Sequence, residues 1–175
     1  QSMPANVRVI EQDALDVDYR AVSTQGYLLV ANLPSTIATP LIERFTAARS
    51  CIGSVTIMVQ KEVADRILAG PGRKDYGPLS VGVQHYARVE PGFVLPPGAF
   101  KPPPKVQSRM IRLEWRPDVA DNPAFIRFVR HAFASRRKKL VNNLAAIVPG
   151  SSREHRAQML ERAGAHENAR PEELS

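Results

Sequence analysis

A single cysteine, Cys51, is the only thiol in the 175 residues. One cysteine excludes an internal disulfide framework and any multi-cysteine zinc site. Such a residue is expected to behave as a small apolar side chain, not a nucleophile. No apolar run approaches the ~20 residues that a membrane helix needs, and no signal-peptide pattern opens the chain. A cytoplasmic protein without a membrane partner is therefore expected. Acidic residues are also scarce: 17 Asp and Glu stand against 24 Lys and Arg, a net charge of +7, with a pI near 10.0. That imbalance disfavours cationic partners and favours polyanions, nucleic acid first. It is uneven along the chain, with a net of −2 over residues 1–40, +5 over 41–120 and +4 over 121–175. There is no internal repeat and no low-complexity tract.

The residues present support a real core, with 43% hydrophobic content. Val7 to Glu11 and Tyr27 to Val30 read as strands, as does the β-branched run Ser54 to Gln60. That last run is nearly continuously apolar, as expected of a strand covered on both faces. Helices are expected from Leu41 to about Arg49, Lys61 to Ala69 and Leu79 to Tyr86. Gly70-Pro71-Gly72 stops the second of them. Two further strands, Val89 to Leu95 and Val106 to Trp115, flank the proline-stiffened stretch Pro96 to Lys105. Asp121-Asn122-Pro123 marks a boundary, with a helix starting at the proline. Beyond it Phe125, Phe128, Val129 and Ala132 recur at helical spacing as a core stripe. Residues 151–164 read as another helix capped by Ser152, and Arg170 to Leu174 as the opening of one more.

Three places carry chemistry. Ala31-Asn32-Leu33-Pro34-Ser35 ends a β-prone run. In an open α/β sheet, ligands collect beyond the carboxyl ends of strands. The Asn32 amide oxygen and the Leu33 and Pro34 carbonyls are acceptors with few competing donors, a set that suits an amine. Asp13, followed by Ala14, is expected just past the first strand, on the same rim as Asn32. Finally, Arg136-Arg137-Lys138-Lys139 gives four consecutive cations. They lie between Asn122 and Leu140, where there are six basic residues and no acids. On a helix they cover a full turn, so some must face an anion or water.

Several of these peptides resemble the ribosomal RNA adenine dimethyltransferase family. They are Asn32-Leu33-Pro34 with Ile37 and Thr39-Pro40-Leu41, then Gln60-Lys61-Glu62-Val63-Ala64-Asp65-Arg66 and Lys74-Asp75-Tyr76-Gly77. Phe100 with Pro102, Pro104-Lys105-Val106 and Ser108 follows, as does Phe133-Ala134-Ser135-Arg136-Arg137-Lys138-Lys139-Leu140-Val141-Asn142-Asn143-Leu144. The resemblance implies part of a Rossmann-like class I methyltransferase sheet over residues 1–120, then a small all-α RNA-binding domain over 121–175. It implies S-adenosyl-L-methionine as methyl donor and no metal. The substrate it implies is two adjacent adenines of small-subunit ribosomal RNA, within the small ribosomal subunit. In that reading Asn32, Leu33 and Pro34 orient the target amine and Phe100 stacks on the adenine. Asp13 and Ala14, with Asn32, hold the cofactor. Lys105 and Arg136 to Lys139 grip phosphates.

Two departures stand out. Ser35 occupies the position where the family carries an aromatic. The family's glycine-rich turn after the first strand, and the acid that holds the cofactor ribose, have no counterpart here. Gly70, Gly72 and Gly77 do not follow a strand at the required spacing. The chain, which begins at Gln1, is therefore expected to be part of a longer protein, with strand edges and an apolar sheet face uncovered. Two alternatives stay open: a non-catalytic RNA-binding assembly factor, and a large-subunit adenine methyltransferase of the macrolide-resistance type.

Overall fold

The computed structural model describes residues 4–136 and 138–174. Four strands form one sheet: β1 (Tyr27–Asn32), β2 (Ile52–Gln60), β3 (Ala87–Leu95) and β4 (Ser108–Trp115), in the order β1-β2-β4-β3. β1 and β2 are parallel, while β4 is antiparallel to both β2 and β3. Helices α1 (Ala38–Ala47), α2 (Lys61–Leu68) and α3 (Pro78–Tyr86) lie among the first elements. They pack on one sheet face, built from Leu29, Val55, Ile57, Val59, Ile111 and Leu113.

The local chemistry of these helices is specific. Pro78 sits at the first position of α3, where its missing N–H costs nothing. The Ser80 hydroxyl accepts from Gly77 N–H at 3.0 Å and donates to Arg66 O at 2.5 Å, so one buried oxygen starts α3 and fastens it to α2. The Gln84 amide donates to Ile67 O and Ala69 O, closing the end of α2.

The opposite face is open, which corrects the expectation for β2. Its burial alternates, with Val55, Ile57 and Val59 buried and Thr56, Met58 and Gln60 only half-buried. An apolar run thus marks a strand with helices on one face only. On the outer strand, Leu28 and Val30 are 73% and 78% exposed.

The expected strand over Val7 to Glu11 does not form. Val7, Val9 and Ile10 are exposed, and β1 pairs only with β2 among the described residues. A β-prone segment becomes a strand only when a neighbour takes its N–H and C=O groups.

A second apolar cluster gathers Ala132, Leu140, Val141, Leu144 and Leu160. It is built by α4 (Pro123–Ala132), α5 (Leu140–Asn143) and α6 (Arg153–Arg162). Asn122 caps α4 through Phe125 N–H, and Ser152 caps α6 through His155 N–H. The stripe on α4 is only partly core: Val129 and Ala132 are buried, but Phe128 is exposed. Pro171–Glu173 makes a single 3-10 turn rather than the start of a longer helix.

On β3, Gly92 and Phe93 together oppose the one residue Met110, a bulge between the pairs Pro91–Ile111 and Val94–Arg109. A Cβ on Gly92 would stand 2.9 Å from both Cβ and O of Met110. Gly92→Ala is expected to destabilise the protein by about 1–3 kcal/mol, seen as a lower denaturation midpoint at unchanged m-value.

Candidate active site at the strand-tip rim

The pairing register sets the rim. Gln60, Ser108 and Leu95 are directly paired across β2, β4 and β3. Asn32 pairs with Met58, and Leu33 N–H continues the ladder to Met58 O at 3.0 Å. The carboxyl ends of β1, β2 and β3 and the start of β4 therefore share one edge. Loop 96–107, which joins β3 to β4, must lie on it.

Asn32 is the last residue of β1 and its side chain is exposed, on the open face with Met58 and Met110. Leu33 is buried and anchors the peptide, while Pro34 and Ser35 are exposed. Pro34 O accepts from Ile37 N–H at 3.2 Å, so part of its acceptor capacity closes the turn into α1. Phe100 is half-buried in the loop, where its N–H donates to Pro97 O. Adjacent strands lie about 4.8 Å apart, so Asn32 stands roughly 14 Å from the β3 edge of the rim, with the loop's attachment to β4 in between. Lys105 is exposed and lines a groove of about 360 Å³ with Gln60, Lys61, Glu62, Pro97, Val106 and Gln107.

Asp13 is placed differently from the expectation. It follows no strand, and its Oδ1 accepts from Leu15 N–H at 2.8 Å in a local turn. Beside it, the Tyr19 hydroxyl donates to Ala14 O, and the Tyr19 ring stands edge-on to Phe45 of α1 at 4.9 Å. The segment is thus held against α1, and by the Tyr27 hydroxyl of β1 on Tyr19 O, without strand pairing. Asp13 is exposed, and an exposed carboxylate fits an amine donor such as the adenine end of S-adenosylmethionine. Among the described residues no glycine-rich turn follows a strand tip beside Asp13.

The basic run also departs from expectation. Residues 133–136 and 138 form turns between α4 and α5, not a helix, and Arg137 lies outside the described residues. Arg136 faces inward. Its Nη2 donates to Lys74 O at 2.5 Å and Tyr76 O at 2.8 Å, and lies 3.4 Å from Glu172. Gly72, in the left-handed region at φ 76°, donates to Glu172 O, and the Tyr76 hydroxyl to Leu174 O. Arg136 thus clasps loop 70–77, the α4–α5 turn and the last turn together. Lys139 caps no anion but bonds Asn168 Oδ1 at 2.5 Å. Lys138 is exposed. Asn143, buried, donates to Ala132 O and Ser135 O and fixes the turn that carries the run.

One cluster escaped the sequence reading. Asp65 of α2 takes Lys61 Nζ at 2.5 Å and Arg109 Nη1 of β4 at 3.0 Å. The Lys61–Asp65 spacing of four residues was a visible signal. Arg109 was another, since strand alternation puts it on the helix-covered face beside Val59. Burial pushes the Asp65 carboxyl up, but the bonds and charges of Lys61 and Arg109 outweigh it and hold it below the usual range. A separate hollow of about 230 Å³, with Arg49, Trp115, Arg116 and Asp121 in its wall, opens at the opposite end of the sheet, away from the strand tips.

A sheet in which an antiparallel strand separates two parallel ones, with helices on one face, is part of a Rossmann-like α/β fold. The ribosomal RNA adenine dimethylase family model matches residues 2–173, and the chain belongs to that family. It is 42% identical over 168 residues to ribosomal RNA small subunit methyltransferase A of Geobacillus thermodenitrificans, covering 90% of this chain and 57% of that protein. It is 40% identical over 179 residues to the protein of the same name from Alkaliphilus metalliredigens, covering 97% of this chain and 62% of that one. The chain thus spans about three fifths of these relatives' length. The fold matches a dimethyladenosine transferase from Plasmodium falciparum at a TM-score of 0.81 and 23% identity, over 98% of this chain and 69% of that one.

Arg136→Ala is expected to destabilise the protein by about 1–3 kcal/mol, because it strips charged hydrogen bonds from two carbonyls. Lys138→Ala should stay within about 0.5 kcal/mol. Chemical denaturation separates the two. The lowered Asp65 pKa carries a sign: its stabilisation is present above the ordinary Asp pKa and is lost as pH falls through the folded value. Asp65→Asn should flatten that acid-side loss, read from unfolding midpoints between about pH 7 and about pH 3.

Proposed function

We propose that this chain is part of an S-adenosylmethionine-dependent enzyme. Its reaction dimethylates the exocyclic amines of two adjacent adenines in small-subunit ribosomal RNA. The observation that carries the reading is the placement of Asn32-Leu33-Pro34 and the Phe100 loop on one rim, in a chain of this family. Residues 1–120 form the catalytic portion, and 121–175 a helical RNA-binding portion. The names of the two curated relatives favour the small-subunit substrate over the large-subunit one. The proposed ribosomal RNA substrate puts the site of action in the cytoplasm; no helix among the described residues is long and apolar enough to cross a membrane. No cluster of metal-ligating side chains occurs among the described residues.

The amine of adenine is a weak nucleophile because its lone pair is delocalised into the ring. In our reading the Asn32 amide oxygen and the Leu33 carbonyl accept its two N–H bonds, with the Pro34 carbonyl as a third acceptor. This draws electron density onto nitrogen and fixes its direction of attack. No strong base is required. Phe100 stacks on the extruded base. Asp13, with Ala14, receives the adenine amine of S-adenosylmethionine, which supplies an electrophilic methyl group when bound. Lys105, Arg137, Lys138 and Lys139 contact RNA phosphates. Arg136 leaves that set and acts through the clasp.

Ser35 is exposed where the family has an aromatic, and this favours a second reading, an assembly factor that binds RNA without methylating it. Methyl transfer to undermethylated small subunits decides between them, using this chain and a form extended at its amino end to the relatives' length. Transfer by the extended form is expected. RNA binding without transfer in both forms supports the assembly factor. In an active form, Asn32→Ala should lower the single-turnover rate by about 100-fold. Phe100→Ala should weaken RNA binding by about 1–3 kcal/mol, and Ser35→Tyr should strengthen it by a similar amount. An unchanged rate in Asn32→Ala removes the strand-tip peptide from the chemistry.

A further inference from the structure

The groove at the strand-tip rim is bounded by α2 on one side and loop 96–107 on the other. Lys61 stands on the first wall and Lys105 on the second. Their spacing is set by backbone, since Lys61 N–H donates to Gln107 O at 2.9 Å and ties the helix to the loop. Gln60 and Gln107 add neutral amides to the lining, and Glu62 is its single carboxylate.

Lys61 is aimed by its neighbours. Asp65 holds its ammonium at 2.5 Å, while Arg109 takes the other carboxylate oxygen at 3.0 Å. Arg109 alone is enough to neutralise Asp65, so the charge of Lys61 is left over. The Lys61 side chain keeps 40% exposure, and an ammonium with one N–H engaged has two more to donate. Among the lining side chains Lys61 and Lys105 stand against Glu62, so the groove is net positive.

We propose that this groove seats a backbone phosphodiester of the RNA strand next to the methylated adenine. Lys61 and Lys105 are its two cations, and Asp65 and Arg109 are positioning residues for Lys61. The inference rests on the RNA substrate proposed above. The occupant is argued from place and chemistry. The groove adjoins the Gln60 strand tip, one ladder step from the Leu33 peptide, and includes Pro97 and Lys105 of the loop that carries Phe100. An extruded base carries its phosphates out of the helical path, where they need new counter-charges. Two lysine ammoniums across an open groove suit a phosphodiester, because each binds phosphate as a point charge and its two non-bridging oxygens can accept from both.

The test is the salt dependence of binding, by the full chain, to a small-subunit ribosomal RNA fragment that carries two adjacent unpaired adenines. Each lost phosphate contact should reduce the magnitude of the log Kd against log salt slope by roughly 0.7–0.9. Lys61→Gln and Lys105→Gln are each expected to show that reduction, with affinity about fivefold weaker at low salt. The double variant should show about twice the slope change. Arg88→Gln, on β3 away from the rim, serves as the control with an unchanged slope. A purely structural role for Lys61 lowers the unfolding midpoint without moving the slope. Lys105 lies in an exposed loop, so its variant keeps the test open even if Lys61→Gln folds poorly. Salt-dependent binding by the wild type, with slopes unchanged in the lysine variants, overturns the groove and leaves the RNA substrate standing. Absence of salt-dependent binding by the wild type overturns both.

Discussion

β4 runs against both of its neighbours, and the candidate site depends on that reversal. A parallel successor to β3 would need a crossover returning to the opposite end of the sheet. An antiparallel one can be joined by a loop that stays at the same end. Leu95 and Ser108 are directly paired, so the twelve residues between them have nowhere to go but over the rim. The same rim receives the tips of β1 and β2. The polar strand-end peptide, the start of α2 and the proline-stiffened loop are thereby gathered although they lie far apart in sequence. The bulge at Gly92 belongs to the same geometry, because β3 carries one extra residue before it meets the rim in register.

Charge is divided between holding and binding. Arg136 spends its guanidinium on two carbonyls and Glu172, Arg49 on Asp121 and the face of Tyr86, and Arg109 on Asp65. Arginine suits these tasks because its planar fork satisfies several acceptors at once. The lysines at the rim and on the turn, Lys105 and Lys138, are exposed. Each such ion pair cancels one acid with one base, so the net charge of +7 stays with the cations outside the pairs, Lys105 and Lys138 among them.

The sheet has one packed face and one open face. The packed face is nearly all Val, Ile and Leu, from Leu29 through Leu113. The open face passes from Leu28 and Val30 on β1 to the charged ladder of Arg112, Glu114, Arg88 and Glu90 on β4 and β3. Burial at β2 alternates, and its sequence follows from Ser54 to Gln60 except at Met58. Hydrophobicity sets what a strand tolerates on each face, and the neighbouring elements set what it receives.

Local physics made much of this legible beforehand. Pro123 began a helix, Gly70-Pro71-Gly72 ended one, and Ser152 capped another, all within reach of a few residues. The Asn32-Leu33-Pro34 peptide was readable as a strand tip for the same reason. What needed the tertiary structure was every assignment whose partner is distant. Val7 to Glu11 has the composition of a strand but no neighbour to take its hydrogen bonds. Asp13 is held by a turn against α1 instead of by a strand end. Arg136 is separated by some sixty residues from the carbonyls it binds. Composition and periodicity therefore determine which elements form and where they stop. Whether a cation clasps the fold or faces an anion is decided only when remote acceptors arrive, because its free energy comes from the partner it meets.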